Sequence, residues 1–154
     1  MALALVQFNH IYADYEFVGN IQNGPNDCEI WHIGAVKPNG DTFEVFINVN
    51  TDHETHPGCV DVTEEYLAEH NAEDFSSAFQ KFINWVGPQA VIISHNSFRS
   101  DKPVLESECL KHSVQMPCWF FYDKYCIVFP DDVEIGSFVF RHWWWGDFLG
   151  FDSA

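Results

Sequence analysis

The first third of the chain alternates apolar and polar residues, which is the pattern of β-strands with one buried face. Residues 8–18, 29–37 and 42–49 each show this alternation and are rich in aromatic and β-branched side chains. Residues 38–41, Pro-Asn-Gly-Asp, form a tight-turn sequence between the second and third segments. We therefore expect three strands arranged as an antiparallel meander.

The rest of the chain combines helical periodicity with short buried strands. Within residues 72–86, large apolar side chains recur at spacings of three and four, which predicts an amphipathic helix. The apolar run 90–94 predicts a strand that is buried on both faces. The other predicted elements are a helix that opens at Thr63, a helix over 101–112, a short strand over 118–121 and a helix in the aromatic tail 137–154.

This order of elements predicts an α/β fold, in which helices flank a mixed central β-sheet with an antiparallel meander on one side. The 154 residues suffice for one domain and are too few for two, so we expect residues 1–154 to form a single domain. Because 47% of the residues are hydrophobic and 17% are aromatic, we expect a globular chain rather than a disordered one.

The sequence also predicts a cellular compartment. Its amino terminus lacks the basic segment and the long apolar run of a signal peptide, and no run is long enough to span a membrane. The five cysteines are odd in number and show no C-x-x-C spacing. We therefore expect an intracellular protein, cytoplasmic or nuclear and not secreted, with free thiols and no membrane partner.

The charge of the chain restricts how it could bind nucleic acid. There are 23 acidic residues and only 7 lysines and arginines, which gives a formal net charge of -16. Long tracts of nucleic-acid backbone are bound through many basic contacts to phosphates, so this composition argues against such binding. It leaves open a pocket that handles a short strand or a chain end through metal ions.

Two acids stand two residues apart in the first predicted strand. Side chains alternate along a strand, so Asp14 and Glu16 are expected to share a face. Two like charges at that separation are costly unless a cation or a proton lies between them. Asp101 opens a predicted helix just after the buried strand, where its carboxylate could turn back towards the first strand. An Asp at such a position is otherwise a helix N-cap.

These segments resemble the DEDD, or DnaQ-like, 3′–5′ exonucleases, which have a ribonuclease H-like fold. The resemblance extends in order over residues 8–125 and includes an Asp-x-Glu motif on the first strand and a His-Asn motif followed by Asp. The matching segments are Asp14-Tyr15-Glu16, residues 30–36 (IWHIGAV), residues 43–47, residues 62–67, and His95-Asn96 with Asp101.

The third motif of this family adds a fourth carboxylate and, in the DEDDh branch, a histidine five residues before it. His142 and Asp147 have that spacing, with three consecutive tryptophans between them. The alternative is an aromatic packing patch with a surface Asp. In that case Asp123, Asp131 or Asp132 would have to provide the fourth carboxylate, or it is missing.

The resemblance implies a two-metal hydrolysis of phosphodiester bonds, in which two Mg²⁺ or Mn²⁺ ions stabilise the attacking and leaving oxygens. By resemblance, Asp14 bridges both ions, Glu16 and Asp147 bind the ion that generates the nucleophile, and Asp101 supports the other. His142 is then the general base, because imidazole titrates near neutral pH.

The resemblance also implies residues that bind the substrate. His95 and Asn96 are expected to shape the pocket rather than to carry out the chemistry. Phe17 follows the Asp-x-Glu motif where the family commonly has threonine, and it could either stack on a base or pack in the core. The implied substrate is the 3′ end of a short or single-stranded DNA or RNA, with a protein partner or a homodimer supplying further grip.

Two other functions remain open. A catalytically inactive, exonuclease-like interaction module would also account for the irregular third motif and the acidic composition. A ribonuclease H-like endonuclease would cut circular substrates, which an exonuclease leaves intact. A zinc site in residues 53–59, which contain two histidines and a cysteine, is less favoured than a solvated loop, because no second cluster completes four ligands.

Overall fold

A computed structural model describes residues 8–53 and 60–123 of the chain. Five strands form one sheet in the order β3-β2-β1-β4-β5. The strands are β1 (Asn9–Val18), β2 (Glu29–Val36), β3 (Thr42–Phe46), β4 (Ala90–Ser94) and β5 (Phe120–Asp123). The helices are α1 (Glu64–Glu69), α2 (Phe75–Val86) and α3 (Asp101–Lys111). Two short 3₁₀ turns, Ile21–Asn23 and Pro25–Asp27, connect β1 to β2.

The sheet has the predicted mixed character. β1, β2 and β3 pair antiparallel as a meander, whereas β4 pairs parallel to β1 and β5 pairs parallel to β4. The parallel connections run through helices, because a crossover between parallel strands needs a dozen or more residues. The α/β prediction with a mixed sheet and an antiparallel meander is therefore confirmed.

The main core lies between the sheet and the helices α2 and α3. The apolar face of α2 contributes Phe75, Phe79 and Phe82, and each of these side chains is at most 1% exposed. Asp74 caps this helix by accepting the backbone N–H of Ser77 at 2.9 Å. The helix therefore begins at Phe75 and not at residue 72 as predicted.

Two strand boundaries also differ from the prediction. β3 ends at Phe46 rather than at residue 49, because the backbone of Asn48 turns away and donates to the carbonyl of Glu73 at 2.8 Å. β5 covers 120–123 rather than 118–121, because Trp119 is held outside the sheet by the hydrogen bond from its indole N–H to Gly87 O at 3.0 Å.

The turn after β1 depends on a glycine. Gly19 has φ +93°, and a Cβ at this position would lie 1.9 Å from the carbonyl oxygen of Asp27. Only glycine allows this close approach at a positive φ. The 3₁₀ turns can therefore fold back directly beside the end of β1.

Three further predictions concern the tail, the loop 53–59 and the absence of a membrane span. The tail helix predicted over 137–154 lies outside the described residues. Of the loop 53–59, only His53 is described, and its Nε2 lies 2.9 Å from Glu29 Oε2. In the described ranges there is no helix of the length and apolarity needed to cross a membrane.

Candidate active site

Asp14 and Glu16 lie on one face of β1, near its carboxyl end. In the ladder with β2, Asp14 stands opposite Gly34 and Glu16 stands opposite His32. Tyr15 lies between them, points to the other face and is buried in the main core. Asp14 is half-buried and Glu16 is exposed. The two acids thus share a face, as the alternation along the strand indicates.

The third acid of the set comes from α3. Asp101 is the first residue of this helix and is only 5% exposed. Ser100 occupies the N-cap position, and its hydroxyl donates to Oδ1 of Asp101 at 3.3 Å. Asp101 is therefore not the N-cap residue of α3, which was the alternative that the sequence left open. The burial of its carboxylate needs another explanation.

The parallel ladder between β1 and β4 brings the three acids to the same end of the sheet. Tyr12 pairs with Ile93, so β4 ends about level with Asp14, and α3 starts shortly afterwards. Burial raises the pKa of Asp101, and the negative charges of Asp14 and Glu16 raise it further.

Each of the three carboxyl groups is harder to ionise than it would be in water. Desolvation raises the pKa of Asp14, against the opposing effects of the imidazoles of His32 and His95. Desolvation and the charge of Asp14 raise the pKa of Glu16 to about 7. Desolvation is also the main reason that the pKa of Asp101 rises to about 7. Carboxyl groups with perturbed pKa values cluster at functional sites.

Replacing Asp101 with asparagine is expected to stabilise the metal-free protein at pH 8 and to stabilise it less at pH 5. A raised folded-state pKa means that the native state binds the extra proton, so stability falls as pH rises from about 4 towards 7. Asparagine resembles the protonated acid and removes this cost, by about 2 kcal/mol at pH 8 relative to pH 5.

Urea unfolding in EDTA at the two pH values measures this difference. The exposed Asp52, changed to asparagine, is the matched control, and it should show no such pH dependence. If Asp101→Asn changes the free energy of unfolding equally at both pH values, the pKa of this carboxyl is not raised in the folded protein.

His95 and Asn96 begin the turn between β4 and α3. His95 is exposed and lies near enough to Asp14 to lower the pKa of that carboxyl. Asn96 has φ +55°, which asparagine tolerates better than most residues, and its carbonyl accepts the N–H groups of Arg99 and Ser100 at 3.1 Å each. The turn therefore holds His95 beside the acid pair.

Phe17 lies at the other side of the acid pair. The ladder with β2 shifts register between Glu16 and Phe17, which is a β-bulge. Phe17 is half-buried and packs against the main core. This contact favours the packing role over the stacking role for Phe17, while its part in substrate binding stays a prediction.

No sequence pattern singles out His32, although it lies near the acids. It is buried, its Nε2 lies 3.0 Å from Glu44 Oε1, and its ring lowers the pKa of Asp14. Burial in turn lowers the pKa of His32 itself. Its position opposite Glu16 depends on the register of β1 and β2. The sequence indicates this register only through the alternation of apolar and polar residues in the two strands.

Of the residues considered for the rest of the site, the structure describes only Asp123. Asp123, the last residue of β5, is buried and stands in register with Ser94. The others lie outside the described residues: Asp131, Asp132, His142 and Asp147. The general base and the fourth carboxylate therefore stay predictions.

The acids present suit a divalent cation. Within 8–53 and 60–123, no group of three or more His, Cys, Asp or Glu side chains is arranged to hold a metal ion by itself. Carboxylate oxygens are nevertheless the ligands that Mg²⁺ and Mn²⁺ prefer. Oδ2 of Asp101 is buried without a hydrogen-bond partner, and the charges of Asp14 and Glu16 disfavour ionisation of Asp101. A divalent cation bound by Asp14, Glu16 and Asp101 therefore stays a prediction.

Solved structures of exonuclease I share this fold. E. coli exonuclease I in complex with a dA16 oligonucleotide superposes with a TM-score of 0.58 at 18% identity, over 76% of this chain and 28% of that chain. The zinc-bound form of its complex with single-stranded DNA gives a TM-score of 0.58 at 17% identity, over 76% and 28%. No protein-family model matches the sequence, and no curated protein is detectably similar to it.

These likenesses establish the fold of the described residues. This chain has the α/β architecture of exonuclease I and spans less than a third of the length of those chains. At 17–18% identity, the shared fold alone assigns neither the branch of the superfamily nor the activity.

Proposed function

We propose that this chain is a metal-dependent 3′–5′ exonuclease that hydrolyses phosphodiester bonds at the 3′ end of short or single-stranded nucleic acid. The observation that carries this proposal is the approach of Asp14, Glu16 and Asp101 at one end of a sheet with the fold of exonuclease I. Two of the exonuclease I structures hold dA16 and dT13 oligonucleotides, and their ligands indicate the class of substrate to test.

The proposed metal ligands are Asp14, Glu16, Asp101 and Asp147, with Mg²⁺ or Mn²⁺ as the ions. When bound, two such ions would stabilise the attacking and leaving oxygens of an in-line displacement. The carboxylates would bind and orient the ions, and His142 would take the proton of the attacking water at a ring nitrogen. His95 would lie beside the terminal nucleotide with Asn96, because both follow β4 at the same end of the sheet.

A chain end suits this surface better than a long duplex. Four of the five described lysines and arginines lie in ion pairs with acids, which leaves little positive charge for phosphate contacts: Lys37, Lys81, Lys102 and Lys111. Sequence-independent binding of a long tract relies on such contacts. A protein partner or a second copy of the chain would then add to the grip on the substrate.

The proposal is tested with 5′-labelled single strands of DNA and of RNA in the presence of Mn²⁺ or Mg²⁺. We expect a ladder that shortens from the 3′ end, release of mononucleotides, and no cleavage of a circular single strand. Cleavage of the circle would indicate the endonuclease instead. No product from either polymer with either ion would overturn the proposal.

The second candidate is an exonuclease-like interaction module without activity. The strongly acidic composition favours it, since a formal charge of -16 suits a basic protein partner better than a phosphate backbone. It predicts no nuclease activity under any of these conditions, so the same experiment separates the two functions. The proposed location for either is intracellular.

A further inference from the structure

The two faces of the sheet are covered by different helices. One face packs against α2 and α3 and holds the main core. On the other face, α1 lies over β3, where Leu67 and Phe46 belong to one buried cluster. This second face also carries Asp14 and Glu16, because Glu16 stands opposite His32, which in turn stands opposite Phe46. The strands β4 and β5 continue it on the side of β1 away from β3.

An exposed aromatic patch lies on this second face, at the edge formed by β5. Phe120 and Tyr122 stand in register with Val91 and Ile93, and all four alternate with residues that face the main core. Phe120 is 57% exposed and Tyr122 is 51% exposed. The ring of Phe8 meets that of Phe120 edge-on, with 5.4 Å between the centroids. We call these five residues the β5 patch.

The β5 patch has the properties of a contact surface. Single exposed apolar side chains are normal on folded proteins, whereas contiguous groups of them mark sites of interaction. Aromatic rings pair favourably with one another beyond the area that they bury, so a second aromatic surface suits this patch.

The chain itself contains a segment of matching chemistry after β5. Residues 138–151 include seven aromatic side chains, among them the three consecutive tryptophans, and carry one arginine and one aspartate. Trp144, Phe148 and Phe151 are spaced by four and three residues, which would place them on one face of the predicted tail helix. The segment lies outside the described residues. An aromatic helix face of this kind needs an apolar partner to be removed from water.

The connection to this segment is long enough for it to reach the patch. The chain leaves β5 at Asp123, and residues 124–137 join this strand to the aromatic segment. Fourteen extended residues span about 45 Å, whereas the sheet is about 10 Å wide from β5 to β1. A segment tethered so closely has an effective concentration on the order of millimolar, which favours it over a separate molecule.

Charge favours the aromatic segment over a second copy of the chain. The charges of its arginine and aspartate sum to zero, whereas each whole chain carries a formal net charge of -16. Two copies would therefore repel each other, and Asp14 and Glu16 on the same face would add to the repulsion.

We propose that residues 138–151 dock on the β5 patch through their aromatic side chains and bury Phe120 and Tyr122. Apolar packing alone drives this contact, so it requires neither a bound metal ion nor a catalytic role for His142 or Asp147. The proposal is therefore independent of the nuclease function, and its test does not use activity.

Hydroxyl-radical footprinting of the full chain, with mass spectrometry of single residues, measures the accessibility of each ring. Phe98 is the matched reference, because it is the same residue type as Phe120 and is 49% exposed in the turn before α3. The fully buried Phe79 gives the opposite limit. We expect Phe120 to react several times more slowly than Phe98, at a rate closer to that of Phe79. Equal rates for Phe120 and Phe98 would leave the patch open and overturn the proposal.

Substitutions in the segment are expected to expose the patch. In Trp144→Glu with Phe148→Glu, the rate of Phe120 should rise to that of Phe98, because charged side chains do not pack on an apolar face. A low rate for Phe120 in this variant would mean that another segment or another molecule covers the patch, and would overturn the proposal. The unchanged rate of Phe79 verifies that the variant is folded.

A matched control adds the same two charges to the connection. Val128→Glu with Val133→Glu should leave Phe120 protected. Equal loss of protection in both double variants would indicate a general effect of charge and would contradict docking by residues 138–151.

If the variant in the segment does not fold, Tyr122→Glu tests the same contact from the sheet. It should raise the rate of Trp144, whereas Phe98→Glu, at a similarly exposed aromatic position elsewhere, should not. Protection of Phe120 should also be independent of protein concentration, with the mass followed by analytical ultracentrifugation. Protection that disappears as a dimer dissociates on dilution assigns the patch to a second copy and overturns the proposal.

Discussion

Changing Asp14 to asparagine is expected to reduce the proposed Mn²⁺-dependent nuclease activity about 1,000-fold while leaving the chain folded. A 1,000-fold loss corresponds to about 4 kcal/mol of transition-state stabilisation, which is within the range that metal ions contribute. Asp14 is the central acid of the three, because its charge raises the pKa of both Glu16 and Asp101. Asparagine keeps the shape of the side chain and removes the charge at this central position.

The physical reason that the fold should survive is the crowding of negative charge. Desolvation makes the ionised form of Asp14 costly in the metal-free protein, and its charge disfavours ionisation of its two neighbours. A neutral side chain of the same size relieves both effects. The thermal midpoint in EDTA at pH 8 should therefore be equal to or higher than that of the wild type.

Two measurements decide this prediction. Release of nucleotides from a 5′-labelled single strand gives the activity, and Asp52→Asn, an exposed Asp on a loop, is the control that should keep full activity. Asp14→Asn with activity within a few fold of the wild type would mean that hydrolysis does not depend on the acid pair. Loss of the fold in this variant would contradict the electrostatic argument.

Changing Lys111 to methionine is expected to lower the free energy of unfolding by about 3 kcal/mol, because it leaves the buried carboxylate of Glu108 with His112 Nε2, 3.9 Å from its Oε2, as its remaining described ion-pair partner. The side chain of Glu108 is 2% exposed, and its Oε1 lies 2.9 Å from Nζ of Lys111. The same Nζ donates to the carbonyl of Cys28 at 2.6 Å. These contacts tie the end of α3 to the start of β2, and α3 is the helix that carries Asp101.

The chain contains its own control for this prediction. Lys81 and Glu73 form an ion pair with a largely exposed lysine, so Lys81→Met should cost no more than about 1 kcal/mol. The double variant Glu108→Gln with Lys111→Met should recover part of the lost stability, since it also removes the buried charge of Glu108. Urea unfolding of the three variants measures these differences, and equal losses for Lys111→Met and Lys81→Met would refute the buried-charge explanation.

Local patterns determined most of the secondary structure. Strand alternation and helical spacing depend on residues within a few positions of one another, so β1, β2, β4 and α2 are readable from the sequence. The errors fall at the ends of elements, where a contact with a distant segment decides. The bond from Asn48 to Glu73 ends β3, and the bond from Trp119 to Gly87 delays β5.

The candidate site divides in the same way. The sequence by itself determined that Asp14 and Glu16 share a face, because the side-chain period of a strand is two. It also named Asp101, first from its place just after the buried strand and then through resemblance, with capping as an alternative. That Asp101 is buried beside both acids follows only from the parallel pairing of β1 with β4, which joins segments about 80 residues apart.

The neighbours of the acids were decided by tertiary structure alone. His32 stands opposite Glu16 because of the register of β1 and β2, and His95 follows β4, which pairs parallel to β1. The local sequence pattern does not indicate either position, because each depends on how separate elements pack. The acid pair on one strand is thus a property of the sequence, whereas the shared electrostatics of the three acids is a property of the fold.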